Sequence, residues 1–349
     1  MKQRIISALL AMVLCVGLMP GALAAEEYSD VPAGHWAAEN ISRATELGIF
    51  NGVGDGLFGC GQEISRAAFV TALVRMFGWT SVTPKQNTFA DVTSDRWYYS
   101  AVETAVANDA VATASNTFRP NEALKRGEMA AMLMRALGYT SLAGMVSNYS
   151  CPFSDVTVNR GFITMAYDMG IVSGMGDGIF SPDTCATREQ AATILVRLYD
   201  RLHAENIKLS DAVGRETVFV ETPTAQEDSE LPETPLEPIA QLYDALRAAK
   251  ESGQDMSKLV LLLTAGGVRT IVSDSGDIVS SETVTADQVK RILTMPDVRI
   301  YYSQRYESAY CVYLPNFYQT VTMWYQSEES LAVKLQLARM FGVVHYVLK

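Results

Sequence analysis

Phe153-Ser-Asp-Val156, followed by Gly174-Met-Gly-Asp-Gly-Ile-Phe180 and Ala186-Thr-Arg-Glu-Gln-Ala191, sets the organisation of this chain, because the same order of parts occurs twice before it. Tyr28-Ser-Asp-Val31 leads to Gly52-Val-Gly-Asp-Gly-Leu-Phe58 and then to Ile64-Ser-Arg-Ala-Ala68. Phe89-Ala-Asp-Val92 leads to Thr113-Ala-Ser-Asn-Thr-Phe118 and then to Leu124-Lys-Arg-Gly-Glu128. Arg66, Arg126 and Arg188 fall at one repeat position, 60 and 62 residues apart. A fixed period of this kind marks supersecondary units that bury their apolar faces only against one another.

Within each repeat the residues spell helix, turn, helix. In the first, Trp36, Ile41, Ala44 and Leu47 share a stripe that predicts a helix from Trp36 to Leu47, stopped by Gly48. Gly54-Asp55-Gly56 and Gly176-Asp177-Gly178 supply turns that need positive φ. Ser65 and Thr187 are natural N-caps, and Thr187 with Gln190 forms a capping box. Lys125 cannot accept that bond, but Glu128 can reach back. Three helix pairs between Tyr28 and Leu202 are expected to close into a bundle with the arginines facing outward.

The flanks differ. Lys2 and Arg4, the apolar run Ile5 to Met19, and Ala22-Leu-Ala-Ala25 read as an export signal over residues 1–25. The run is short for a membrane span, and no membrane association is expected after cleavage. Repeats are assigned to 26–83, 84–147 and 148–209. Residues 210–238 form an acidic, proline-rich linker: Glu216 to Pro238 holds seven acidic residues, four prolines and no Lys or Arg. Residues 239–349 then alternate helix and strand signals, giving a small mixed α/β domain. The expected fold class is thus an α bundle followed by an α/β unit. A net charge of −11 with scattered basic residues argues against nucleic acid as partner. No cofactor, metal or catalytic residue is expected: three histidines and no Cys-x-x-Cys do not make a ligand set. Cys60, Cys151, Cys185 and Cys311 lack framework spacing and read as free thiols.

An arginine in a helix's first turn sets a planar fork of donors beside free backbone N–H groups, which suits a carboxylate. Trp36 and Trp97, at matching positions, offer flat faces for a sugar ring. The plainer alternatives are ion pairs to Glu39, Glu103 or Glu189, and core tryptophans. The recurrence of the arginine in all three repeats favours binding.

The repeats resemble S-layer homology domains. His35-Trp-Ala37, Gly54-Asp-Gly56 and Ser65-Arg-Ala67 carry the resemblance in repeat one, Trp97 and Lys125-Arg-Gly-Glu128 in repeat two, and Gly176-Asp-Gly178 and Thr187-Arg-Glu189 in repeat three. The resemblance implies a pseudo-threefold helical bundle of a secreted, wall-attached protein. Its grooves would bind secondary cell-wall polysaccharide or a peptidoglycan-linked polymer, often pyruvylated, without a covalent link. Arg66, Arg126 and Arg188 would meet the pyruvate carboxylate, with Trp36, Trp97 and the two Gly-Asp-Gly turns lining the grooves. Repeat two departs from it with Ala114-Ser-Asn116, and repeat three lacks the Trp.

Met323 to Gly342 resembles the closing segment of glycoside hydrolase family 18 barrels. That implies, as the alternative reading, a wall- or chitin-directed glycosidase. The family's Asp-x-x-Asp-x-Asp-x-Glu run is missing from the chain, so no hydrolysis is expected from it. The tyrosines between Tyr301 and Tyr325 form either a sugar-stacking face or a strand-rich core.

Overall fold

The same-repeat aromatics explain how each unit closes. Tyr28 packs on Phe58 at 5.5 Å between ring centroids, Phe89 on Phe118 at 5.7 Å and Phe153 on Phe180 at 5.3 Å. All six rings are buried. The computed structural model describes residues 28–210, 217–218 and 235–349. The expected export signal, and the expected linker apart from its ends and Thr217–Val218, lie outside the described residues. The chain divides into two units, Met1–Asp200 and Arg201–Lys349.

The first unit is helical. α1 (Ala38–Glu46) and α2 (Arg66–Phe77) belong to repeat one, α3 (Tyr99–Ala107) and α4 (Arg126–Ala136) to repeat two, and α6 (Arg160–Asp168) and α7 (Arg188–His203) to repeat three. Ser65 caps α2 by accepting from Ala68 N, and the left-handed Gly78 ends it. Glu128 reaches back to Lys125 N at 3.3 Å, and Gln190 to Thr187 N at 3.2 Å. α1 begins two residues later than the apolar stripe predicts, which leaves Trp36 in the preceding turn. A further helix, α5 (Thr140–Val146), precedes repeat three and packs on α6. Gly161 makes that approach possible, because a Cβ there would stand 1.8 Å from Ala143 O.

The repeats meet at a closed ring of backbone hydrogen bonds. Ile64 N donates to Ala186 O at 2.9 Å, Ala186 N to Leu124 O at 2.8 Å, and Leu124 N to Ile64 O at 2.8 Å. All three residues are fully buried. Each strand-like segment thus satisfies the next, and buried peptide groups are paired without a sheet.

The second unit holds two sheets. The strands are β1 (Ile207–Lys208), β2 (Thr217–Val218), β3 (Val260–Leu263), β4 (Gly267–Ser273), β5 (Ile278–Val284), β6 (Arg299–Ser303), β7 (Ser308–Asn316), β8 (Gln319–Tyr325) and β9 (His345–Leu348). The parallel sheet runs β1-β9-β3-β2 and the antiparallel sheet β5-β4-β8-β7-β6. α9 (Ala286–Leu293), opened by the Thr285–Gln288 capping box, puts Val289 and Ile292 against Cys311, Val321 and Met323. α8 (Ile239–Glu251) and α10 (Glu328–Met340) pack together, and Tyr243 meets Phe341 edge-on at 5.6 Å. Burial begins before α8. Lys334 Nζ on α10 donates to Leu236 O at 2.8 Å, Gln326 Oε1 at 2.9 Å and Glu237 Oε2 at 3.2 Å, and Thr264 closes on the other Glu237 oxygen. Burial, opposed by Glu237, holds the Lys334 pKa below its ordinary value.

The α5–α6 contact can be tested at Gly161. Gly161→Ala should destabilise the full chain by at least about 2 kcal/mol through overpacking, read as a lower denaturant midpoint at constant slope. Unchanged stability would show that the two helices do not press together there.

Candidate functional site

Each motif aspartate holds its own repeat's turn. Asp30 accepts from Phe58 N and Gly59 N, both at 2.7 Å, and from Cys60 N at 2.8 Å. Asp91 accepts from Phe118 N at 2.8 Å and Arg119 N at 2.7 Å, and Asp155 from Phe180 N at 2.9 Å and Ser181 N at 2.7 Å. At Asp155 the Phe180 N–H leads the causes that hold the carboxyl below its ordinary value of 3.8. At Asp30 burial pushes the pKa up, but the N–H groups of Phe58, Cys60 and Gly59 together outweigh it and the pKa is lowered. A lowered carboxylate stabilises the fold above the unfolded value, so this contribution is lost as pH falls below 3.8.

The turn so fixed presents a phenylalanine carbonyl to the arginine of another repeat. Arg66 Nε donates to Phe118 O at 2.7 Å, Arg126 Nε to Phe180 O at 3.1 Å, and Arg188 Nε to Phe58 O at 2.9 Å. Each guanidinium also lies over the same ring, at 5.0, 4.7 and 5.1 Å from the centroids of Phe118, Phe180 and Phe58. Arg126 Nη2 reaches Ser173 O at 2.8 Å and Arg188 Nη2 reaches Asn51 O at 3.0 Å. The three bonds run one to two, two to three and three to one. They close the bundle as a cycle.

This corrects the outward placement of the arginines. Arg66 and Arg126 are each only 7% exposed, and burial lowers the pKa of all three. Their partners are backbone carbonyls and, for Arg66, Glu128; Glu103 instead accepts from Thr88, and Glu189 from Gly61 N. The reason is topological. A partner in the next repeat lies about fifty residues or more away in the chain, where local spacing carries no signal.

The tryptophans sit at the surface. Trp36 is 58% and Trp97 67% exposed, each in the turn before its helix, so neither is core. Gly54-Asp-Gly56 and Gly176-Asp-Gly178 have positive φ at every residue, and each forms a tight bridge, Gly54 to Leu57 and Gly176 to Ile179. Two cavities border repeat two. One, of about 590 Å³, is lined by Asp91, Arg96, Tyr98, Arg119 and Glu122. The other, of about 360 Å³, is lined by Arg66, Phe89, Ala114, Phe118 and Arg119. Arg119 stands between them, and the repeat pattern gave no reason to single it out.

In the second unit the tyrosines divide. Tyr313 and Tyr325 join the core under α9, whereas Tyr301 stacks on Tyr310 at 5.1 Å and Tyr310 packs on Trp324 at 4.7 Å. They do not make one platform.

Because Arg126 makes two buried bonds across a repeat boundary, Arg126→Ala should cost about 2–4 kcal/mol of stability, charged hydrogen bonds contributing about 1.5–3 kcal/mol each. Chemical denaturation of the full chain checks this. A stability loss below about 0.5 kcal/mol would assign the residue no part in closing the bundle.

Comparison with known proteins agrees with the family resemblance of the three repeats. The S-layer homology domain family model matches residues 27–70, 88–130 and 152–192. The chain is 26% identical over 223 residues to the S-layer protein sap of Bacillus anthracis, covering 63% of this chain and 27% of that protein. It is 31% identical over 142 residues to a surface layer protein of Brevibacillus choshinensis, covering 39% of this chain and 13% of that one. The chain therefore spans about a quarter or less of the length of these relatives. Among solved structures, a family GH18 chitinase from Cycas revoluta aligns at 14% identity with a TM-score of 0.28, covering 65% of this chain and 60% of that one. The aspartate-held turns, the inter-repeat arginines and the matched segments lead to one identification: this chain carries three S-layer homology domains, joined into a single closed unit.

Proposed function

We propose that the three-repeat unit anchors this protein, without a covalent bond, to an anionic and pyruvylated secondary cell-wall polysaccharide. The protein is a secreted component of the cell surface. The grooves between repeats take the polymer: the guanidinium edges left free by the carbonyl bonds meet carboxylates, and Trp36 and Trp97 lie against sugar rings. The observation that carries this reading is the exposure of both indoles, 58% and 67%, on turns that burial would otherwise claim. The Trp97 turn also supplies Arg96 and Tyr98 to the larger cavity, beside Arg119. The second unit is carried along by this anchor and contributes no hydrolysis.

Co-sedimentation of the full mature chain with purified sacculi, before and after chemical removal of the secondary polymer, tests the proposal. Binding should be strong before removal and lost after it. Binding that survives removal would place the ligand in peptidoglycan itself, and no binding to intact sacculi would end the anchoring reading.

A further inference from the structure

The three grooves are chemically unequal. At the position after the buried phenylalanine, repeat one has Gly59 and repeat three Ser181, but repeat two has Arg119. All three accept the same backbone constraint, with positive φ of 87°, 58° and 61°. An arginine held in the left-handed region carries a steric cost that glycine avoids, so its presence calls for a reason. Two positions after the motif arginine, repeat one has Ala68 and repeat three Gln190, but repeat two has Glu128. The loop before Phe118 is also one residue shorter than its counterparts before Phe58 and Phe180, counted from Val111, Phe50 and Val172.

Glu128 belongs to the motif stretch of repeat two, whereas Arg119 is the departure, and the two meet at one place. Glu128 Oε1 lies 2.7 Å from Arg66 Nη1 and 2.9 Å from Arg119 Nη2. Arg119 Nη1 is held at 3.0 Å by Glu122. Yet Arg66 Nη1 is buried and makes no aligned hydrogen bond; it meets Glu128 as a charge contact alone. In the other two grooves the corresponding fork donates to the Ser173 and Asn51 carbonyls. The smaller cavity opens on Arg66 and Arg119 together. A carboxylate already sits between two guanidiniums, with an aligned bond to Arg119 but not to Arg66, and its side chain is 25% exposed.

The geometry points to a self-filled anion seat: Glu128 closes the Arg66 groove from within, and a carboxylate-bearing ligand enters by displacing it, held then by Arg66 and Arg119 as a pair that neither other groove contains. This rests on the anchoring reading for the identity of the natural ligand, but not for the chemistry of the seat. A carboxylate on a free ligand can align both oxygens with the two forks, which Glu128, tied by its other oxygen to Lys125 N, cannot. Glu128 therefore sets a threshold, so that weak or neutral ligands leave the groove shut. Arg119 sets specificity for an anion that spans two guanidiniums.

The probe is sodium pyruvate, titrated by calorimetry or NMR into the full mature chain, with methyl pyruvate as its neutral counterpart. Glu128→Gln keeps the side-chain shape and should bind pyruvate about tenfold tighter than wild type, the loss of one charge-assisted competitor being worth at least that factor. Arg119→Ser, the residue repeat three tolerates at this φ, should weaken binding about tenfold and cancel the gain in the double variant. Methyl pyruvate should bind none of them. Matching thermal melts confirm that the variants are folded. Equal pyruvate affinity in wild type and Glu128→Gln, or an Arg119→Ser variant that binds as wild type, overturns the proposal. Co-sedimentation with sacculi, run alongside, separates the two claims. Wall binding with no effect of Glu128 sinks only the seat, whereas a working seat with no wall binding sinks only the anchor.

Discussion

An arginine that donates to the carbonyl of a phenylalanine in the next repeat is the interaction on which the first unit depends. It works because the carbonyl is immobilised beforehand. Asp30, Asp91 and Asp155 each take the N–H groups flanking that phenylalanine, so the turn cannot rotate the carbonyl away. The ring of the same phenylalanine lies under the guanidinium and packs on the aromatic residue that opens the motif. Aspartate, aromatic pair, carbonyl and arginine form one unit of structure, made three times and closed head to tail. A buried guanidinium is costly unless its donors are met, and here the neighbour meets them. No repeat can satisfy its own arginine.

The same closure shapes the grooves between repeats in which we propose that the polymer binds. The Nε edges are consumed by the phenylalanine carbonyls, and Nη2 of Arg126 and of Arg188 by Ser173 O and Asn51 O, so each fork is framed by the adjoining turn. Small differences in that turn change the groove without disturbing the bundle. Repeat two has given up the glycine turn, shortened the loop and gained Arg119, yet keeps its carbonyl bond at 2.7 Å. Repeat three accommodates α5 through Gly161 and keeps the equivalent bond to Phe180 O at 3.1 Å. The scaffold tolerates divergence at its rim because its ring bonds are made by backbone.

Much of this was legible in the sequence. The repeat period, the cap at Ser65, the back-reach of Glu128 and the alternation of helix and strand after residue 239 follow from periodicity and capping chemistry. Thr187 does not cap its helix: its hydroxyl is buried without a hydrogen-bond partner, and only Gln190 reaches back to its N–H. Local signals failed where the partner is distant or the pattern short. The arginines read as outward anion receptors because their carbonyl partners lie in other repeats. Thr140–Val146 has only seven residues with Gly144 among them, too few for a helical stripe. Trp36 joined the helix stripe by spacing alone, though its own turn keeps it outside. Leu236 and Glu237 sit in a proline-rich acidic stretch whose composition conceals their burial against Lys334. Arg119 is invisible as a site residue until Glu128 is seen beside it.

Native-state hydrogen exchange at the amides of Ile64, Leu124 and Ala186 tests the cyclic closure most directly. These three N–H groups form the central ring. If the repeats are one closed unit, all three should exchange with a single free energy, equal to that of unfolding the whole unit and shifted together by a mutation in any one repeat. Exchange of one amide at a clearly lower free energy, with the other two still protected, would mean that a repeat opens alone, and the cycle would not be what holds the bundle.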